Sequence, residues 1–135
     1  MHVFEFAVKG PPVGVNAKEH SAVSRKKYRD WMARVAAAAS DRLEPDWHPT
    51  KCDEIVVAIF NYYSGGFHDV DNVIKPIFDA LSGVLYEDDR QIYKVTSERF
   101  DRSQSNSILD PSAVLVIALD AYLEFVHVIV SWERG

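Results

Sequence analysis

The sequence predicts an α+β fold, a small mixed β-sheet packed with one long and one short helix. Two observations predict it. Glu54 to Tyr63 is dense in Ile, Val and aromatic residues, the composition of a strand. The stretches from Ser21 to Leu43 and from Asp71 to Ser82 instead place apolar residues at i, i+3, i+4 and i+7, the period of a helix with one buried face. A third observation limits the size. With 135 residues, 47% of them hydrophobic, the chain is expected to form a single domain over 1–135, enough for one core and too short for two. There is no internal repeat or low-complexity linker at which to divide it.

In order, Met1 to Lys9 reads as a first strand, closed by Gly10-Pro11-Pro12, which cannot continue a sheet. Val13 to His20 reads as a loop. Ser21 or Ser24 is the N-cap of the long helix, with Tyr28, Trp31, Met32, Val35 and Ala39 on its apolar face. The Ala36 to Ala39 run reflects helix propensity, and Pro45 and Pro49 stop the helix. The strand from Glu54 to Tyr63 delivers the chain to Ser64-Gly65-Gly66 and then to an acidic stretch.

That stretch is Phe67-His68-Asp69-Val70-Asp71-Asn72-Val73-Ile74-Lys75-Pro76-Ile77-Phe78-Asp79-Ala80-Leu81-Ser82-Gly83. If the backbone stays extended up to the helix, the two-residue spacing turns the Asp69 and Asp71 carboxylates to one side. From Asp71 onward Ile74, Ile77, Phe78 and Leu81 form a core face, while Asp71, Lys75 and Asp79 recur every four residues on another. Asp71 or Asn72 suits the N-cap and Gly83 a left-handed C-cap. A short return after Gly83 brings Glu87, Asp88 and Asp89 back toward the helix start. Carboxylates gathered in this way repel one another unless a cation neutralises them, and hard oxygen ligands suit Mg²⁺, with Mn²⁺ as a substitute. With Lys75 one turn from Asp71, the set equips the chain for metal-assisted phosphodiester hydrolysis. By themselves Asp69-Val70-Asp71-Asn72 are also what a turn or helix cap would use. An EF-hand is excluded, because Ile74 and Lys75 stand where its loop needs glycine and a ligand. A metal-dependent phosphatase of the haloacid dehalogenase type would need an apolar strand running straight into the first Asp, where Gly65, Gly66 and His68 intervene.

The run Asp69-x-Asp71-Asn72-x-x-Lys75-x-x-x-Asp79-Ala80-Leu81-x-Gly83-x-x-x-x-Asp88-Asp89-x-Gln91 resembles the signature of the RusA family of Holliday junction resolvases. These are small, homodimeric, Mg²⁺-dependent endodeoxyribonucleases. The resemblance implies that Asp69, Asp71 and Asp89 are catalytic, metal-binding carboxylates and Lys75 the catalytic lysine, with Asn72, Asp79 and Asp88 in supporting positions. It further implies a homodimer acting on branched DNA, above all the four-way junction, in recombination and repair. Many relatives carry a basic residue and a proline before the first Asp, where this chain has Phe67-His68. His68 competes for two roles there, an outer contact to the metal site or phosphate, and simple loop exposure. Tyr62, Tyr63 and Phe67 offer either core packing or a platform for an unpaired base.

Beyond Asp89, Gln91 to Phe100 reads as a partly exposed strand, Asp101 to Pro111 as a loop, and Ala113 to Leu119 as an apolar buried strand. Residues 120–135 read as an extra strand or a dimer-packing tail. They are not a membrane segment, since Asp120 and Glu124 would each cost about 2.5–3.5 kcal/mol in a bilayer.

Net charge is −5, whereas nucleic-acid binders are usually basic. The charge is uneven, however: between Lys9 and Arg34 seven basic side chains face two acidic ones, leaving +5 there and −10 elsewhere. Lys18, Arg25, Lys26, Lys27 and Arg29 are therefore candidate phosphate contacts, in competition with a merely solvated helix face. The single cysteine, Cys52, rules out an internal disulfide, and a start without a signal pattern points to a reducing, cytoplasmic setting. The expected function is a metal-dependent endodeoxyribonuclease that resolves Holliday junctions by paired symmetric nicks. The alternatives are a non-catalytic branched-DNA-binding relative, which should have lost a carboxylate or the lysine, and a metal-dependent phosphatase.

Overall fold

A computed structural model of the chain describes residues 1–19, 21–104 and 108–133, and the side chains of these residues except Lys18 and Glu19. The backbone runs through strand β1 (His2–Lys9), a 3-10 turn (Val15–Glu19), helix α1 (Ala22–Ser40), strand β2 (Ile55–Tyr63), helix α2 (Ile74–Leu81), a second 3-10 turn (Asp89–Gln91), strand β3 (Ile92–Asp101), helix α3 (Ala113–Ala121) and strand β4 (Phe125–Trp132). The four strands form one sheet in the order β1-β4-β2-β3. β4 is antiparallel to both β1 and β2, and β2 is parallel to β3. The sheet is mixed and the fold is α+β, as the residue pattern predicts.

Strand alternation assigns the two faces of the sheet. Phe6, Val8, Ile55, Val57, Ile59, Val126, Val128 and Val130 point to one face, where they pack with Trp31, Val35 and Ala39 of α1 and with Ile77, Ala80 and Leu81 of α2. Tyr62, Phe125 and the half-buried Phe60 and Phe100 point to the other, against Leu115 and Ala118 of α3. The predicted apolar face of α1 is the buried one, with Tyr28 and Trp31 included. Ser21 is its N-cap and accepts a hydrogen bond from Ser24 N at 3.0 Å. α2 begins at Ile74 with Val73 in the capping position and no side-chain cap, so neither Asp71 nor Asn72 plays that part. The later start puts Pro76 in the first turn, where its missing N–H leaves no helical bond unmade. Gly83, at φ +83°, takes the left-handed position just after the helix.

One expectation fails in the C-terminal third. The segment Ala113–Ala121 is a helix, not a buried strand. Ser112 caps it by accepting from Leu115 N at 3.2 Å, and Arg102 donates to the carbonyls of Leu119 and Tyr122 at its other end. Only Leu115 and Ala118 are buried, one turn apart, while Val116 and Ile117 are exposed. An evenly apolar run carries no period to read, which is why the sequence suggests a strand. The helix therefore adds a third to the long and short ones. Residues 125–132 form the strand that is one of the two expectations for this stretch, and β4 lies inside the sheet, paired on both sides. Its nearly unbroken burial is that of a strand covered on both faces. Part of the Asp101 to Pro111 loop, residues 105–107, lies outside the described residues. Among the described residues no helix is long and apolar enough to cross a membrane.

Candidate active site

The parallel pair β2 and β3, joined through α2, sets up the site. β2 ends at Tyr63, and the loop that follows carries Asp69 and Asp71 into α2. The backbone here is not extended. Asn72 N donates to Asp69 O at 3.0 Å and Ile74 N to Asp71 O at 3.4 Å, so residues 70–73 form turns in place of the extended backbone expected there. Both aspartates are exposed on this turn. The loop is tied to β3 by Ser97 Oγ, which donates to Val70 O at 2.6 Å. It is tied to the N-terminal segment by Val15 N, which donates to Asn72 O at 3.0 Å.

Asn72 is the buttress of this turn. Its Nδ2 lies 3.4 Å from His68 Nδ1, and its carboxamide packs so closely on Gly14 that a Cβ there would collide with it. His68, half-buried, thus touches the support of the turn. Gly14 is a residue the sequence did not single out, and nothing in its immediate neighbours marks it as the floor under the Asp69 turn.

One turn into α2, Lys75 Nζ lies 2.9 Å from Asp79 Oδ1 and 2.8 Å from Asp89 Oδ2. The hydrogen bond to Asp89, then that to Asp79, holds the Lys75 ammonium well above the usual lysine range. Asp89 is presented by the 3-10 turn, which is built as a capping box. Asp88 Oδ1 accepts from Arg90 N at 2.9 Å, and Gln91 Oε1 accepts from Glu87 N and Asp88 N at 2.8 Å each. The backbone hydrogen bond from Arg90 keeps the Asp88 carboxyl below its ordinary value, which makes Asp88 a structural cap. Gln91 is buried and its Nε2 reaches Thr50 O and Cys52 O, both at 2.8 Å, so the turn is bolted to the segment ahead of β2. Below it the buried Tyr86 donates to Phe78 O at 2.8 Å, and burial pushes its phenol upward.

The structure therefore brings Lys75, Asp79 and Asp89 together and leaves Asp69 and Asp71 exposed on the turn before them. The donor set, all carboxylate oxygens, is of the kind Mg²⁺ takes. Among the described residues, however, no three Asp, Glu, His or Cys side chains stand grouped to hold a metal ion. The turn at 70–73 and the Lys75 contact to Asp89 are the physical reasons. The expectation of three converged carboxylates is not met by this arrangement.

The basic start of α1 is adjacent. Arg25, Lys26, Lys27 and Arg29 are exposed, with Lys26 paired to Asp30 at 2.8 Å. Tyr28, buried among them, is close enough to α2 that Asp79 and Lys75 both act on its phenol, which burial foremost raises. Lys18 lies in the first 3-10 turn, and its side chain is outside the described residues.

The family model of endodeoxyribonuclease RusA matches residues 8–108. The chain belongs to the RusA family. The match takes in the Asp69 turn, Lys75, Asp79 and the Asp88 capping box. It stops short of α3 and β4, although β4 is a central strand of the sheet on which that site rests. A search of curated proteins found no match. As a RusA member this is a DNA-acting nuclease.

Proposed function

We propose that this RusA member is a Mg²⁺-dependent, homodimeric resolvase that cuts four-way DNA junctions by paired symmetric nicks. The observation that carries the reading is Lys75 held between Asp79 and Asp89 directly behind the turn that exposes Asp69 and Asp71. A family nuclease site thus keeps its carboxylates and its lysine, which counts against a non-catalytic relative. Asp69, Asp71 and Asp89 are the residues that would hold the cation, and Mn²⁺ can stand in for it. When bound, such a cation activates water and neutralises charge on the phosphoryl group.

The chain's own residues supply the rest. Lys75 stays an ammonium, since two carboxylates oppose the loss of its proton. It therefore acts as a fixed positive charge beside the leaving oxygen, and neither as a base nor as a proton donor. Asp79 steadies it from the same helix face, and Asp88 with Gln91 fixes the turn that aims Asp89. Asn72, pinned on Gly14, holds the Asp69 turn. Arg25, Lys26, Lys27 and Arg29 grip phosphates flanking the cut, which lets a chain of net charge −5 bind DNA through a local excess of positive charge. One such site per chain calls for two chains to make two symmetric nicks, hence a C₂ dimer.

The test is a nicking assay on a synthetic four-way junction and on linear duplex, each with Mg²⁺ and with chelator, alongside sedimentation of the protein. Mg²⁺-dependent paired nicks on the junction by a dimer are expected. Hydrolysis of a small phosphate ester without any cutting of branched DNA would replace the reading with that of a phosphatase.

A further inference from the structure

Beside the Asp69 turn lies a cleft of about 270 Å³ whose walls include Pro12, Asn61, Tyr63, Phe67, His68 and Glu124. Its size is just under the roughly 300–1,000 Å³ of small-molecule sites, so it suits one ring system and not a strand. Its polar atoms are unusual. Asn61, near the end of β2, is only 2% exposed, and its Oδ1 has no hydrogen-bond partner among the described residues. Glu124 is locked in place by accepting from Ser64 N at 2.9 Å through one oxygen, and its charge lines the same cleft. Asn61 Oδ1 and the Glu124 carboxylate are both acceptors. A buried acceptor without a donor is costly, and Asn61 belongs to the cleft wall, so a donor that reached it from the cleft would offset that cost.

The aromatic wall is prepared for a flat partner. Phe67 is 49% exposed, an unusual position for a phenylalanine. Its ring is held by Tyr63, with centroids 5.2 Å apart, and by the Arg99 guanidinium, 4.0 Å from the centroid. An aromatic fixed in this way at a cleft mouth stacks on bases of any identity. His68, on the wall, is the neighbour in sequence of Asp69.

We propose that this cleft receives one unpaired nucleobase next to the cut and favours bases that carry an exocyclic amine. The inference rests on the RusA resolvase reading and adds a specificity site to it. Adenine, cytosine and guanine present amino donors to Asn61 Oδ1 and Glu124. Thymine turns carbonyl acceptors toward the same atoms, its one ring N–H lying between them. Tyr63 and Phe67 supply stacking without preference, and Asn61 supplies the preference.

The test is made without metal, so that it does not depend on catalysis. Four-way junctions that differ only in one unpaired A, C, G or T at the crossover are compared by competition binding in chelator. The amine-bearing three should bind about tenfold more tightly than the thymine junction, the effect of one well-placed base contact. Asn61→Leu should bring all four within about twofold of one another, and Phe67→Ala should weaken all four alike. If Asn61→Leu does not fold, Asn61→Ser, smaller and still polar, takes its place with the same expected loss of discrimination. A 2-aminopurine at the unpaired position should lose fluorescence on binding wild type and keep more of it with Phe67→Ala. Equal binding of the four junctions by wild type, or discrimination that survives loss of the Asn61 amide, overturns the proposal. Nicking without base preference sinks the cleft and spares the nuclease reading. Base discrimination in binding with no nicking under Mg²⁺ does the reverse, and failure to bind any branched DNA ends both.

Discussion

Lys75 and Asp89 stand fourteen residues apart in the chain and 2.8 Å apart in space, and this contact joins the helix half of the acidic motif to its 3-10 half. The lysine is shared with Asp79 and remains half exposed, so the contact counts for more in chemistry than in stability. An exposed ion pair contributes about 0–1 kcal/mol. Lys75→Met should accordingly leave the melting midpoint within a few degrees of wild type while lowering the nicking rate constant about 10²–10³-fold, the loss seen when one donor to a developing oxyanion is removed. Lys75→Arg should recover part of it. Wild-type speed in Lys75→Met would remove the lysine from the chemistry.

The same contact sets a pH dependence. The Lys75 proton is held more tightly in the folded chain than in the unfolded one. Its contribution to stability is therefore complete below the unfolded value, about 10.4, and is lost as pH rises beyond it toward the folded value. Between pH 7 and 10 the nicking rate should show no limb that belongs to Lys75. Melting curves above pH 10.5 should fall less steeply for Lys75→Met than for wild type. A lysine limb near neutrality that vanishes in Lys75→Met would show a general base in place of a fixed charge.

Gly14 is the residue under the turn at 70–73, and its role is one of space. A methyl at Gly14 would run into the Asn72 carboxamide, and the Val15 N to Asn72 O bond leaves the turn little room to yield. Gly14→Ala should cost about 1–3 kcal/mol, the range for overpacking a tight contact, and lower nicking more than tenfold by displacing Asp69 and Asp71. The double substitution Gly14→Ala with Asn72→Ala, which restores space, should recover stability. If the single and double variants melt and cut alike, the two residues do not press on one another.

Much of this fold is readable in the sequence, and the exceptions have physical causes. The buried faces of α1 and α2 follow from period alone, because charged residues interrupt the apolar ones and mark the face. Where no such interruption exists, as in Ala113–Ala121, the period disappears, and the helix is declared only by Ser112 at its start. β4 is nearly all buried for the same reason that it is central, yet a strand at the end of a chain invites reading as an addition. At the site, the spacing puts Lys75 and Asp79 on one helix face and returns Asp89 toward the helix start, where it is expected beside Asp69 and Asp71, whereas in the structure it meets Lys75. The spacing does not reveal that residues 70–73 turn, which separates Asp69 and Asp71 from the extended geometry. Gly14 and Asn61 are invisible in sequence, since each matters through what it lies against.

The basic start of α1 makes a further prediction. Arg25, Lys26 and Lys27 are exposed on the helix whose Tyr28 feels Asp79 and Lys75, so DNA lying over the site would cross them. Replacing all three with Gln should weaken junction binding in chelator and reduce the slope of log K against log salt by about 2–3, near 0.9 for each phosphate no longer neutralised. A slope that does not change would make this segment an ordinary solvated helix face.

Metal binding can be separated from cutting by stability. A cation held by the folded chain adds RT ln(1 + [L]/Kd) to its stability, about 2.7 kcal/mol at a hundredfold excess over Kd, which for a domain of this size is several degrees of midpoint. Asp69 and Asp71 sit exposed on one turn while one oxygen of Asp89 is held by Lys75, so a cation at these three would compete with the lysine for the Asp89 carboxylate. Millimolar Mg²⁺ or Mn²⁺ should raise the wild-type midpoint relative to chelator. Asp71→Asn, which removes one charge at nearly constant volume, should lower that gain and abolish nicking while leaving junction binding in chelator largely intact, as should Asp69→Asn and Asp89→Asn. Lys75→Met, by freeing Asp89, should instead increase the gain from metal even as it slows cutting. The opposite signs for Asp71→Asn and Lys75→Met distinguish a cation seated on these carboxylates from one bound elsewhere on an acidic surface. Equal midpoint gains in wild type and Asp71→Asn would place the cation on other residues.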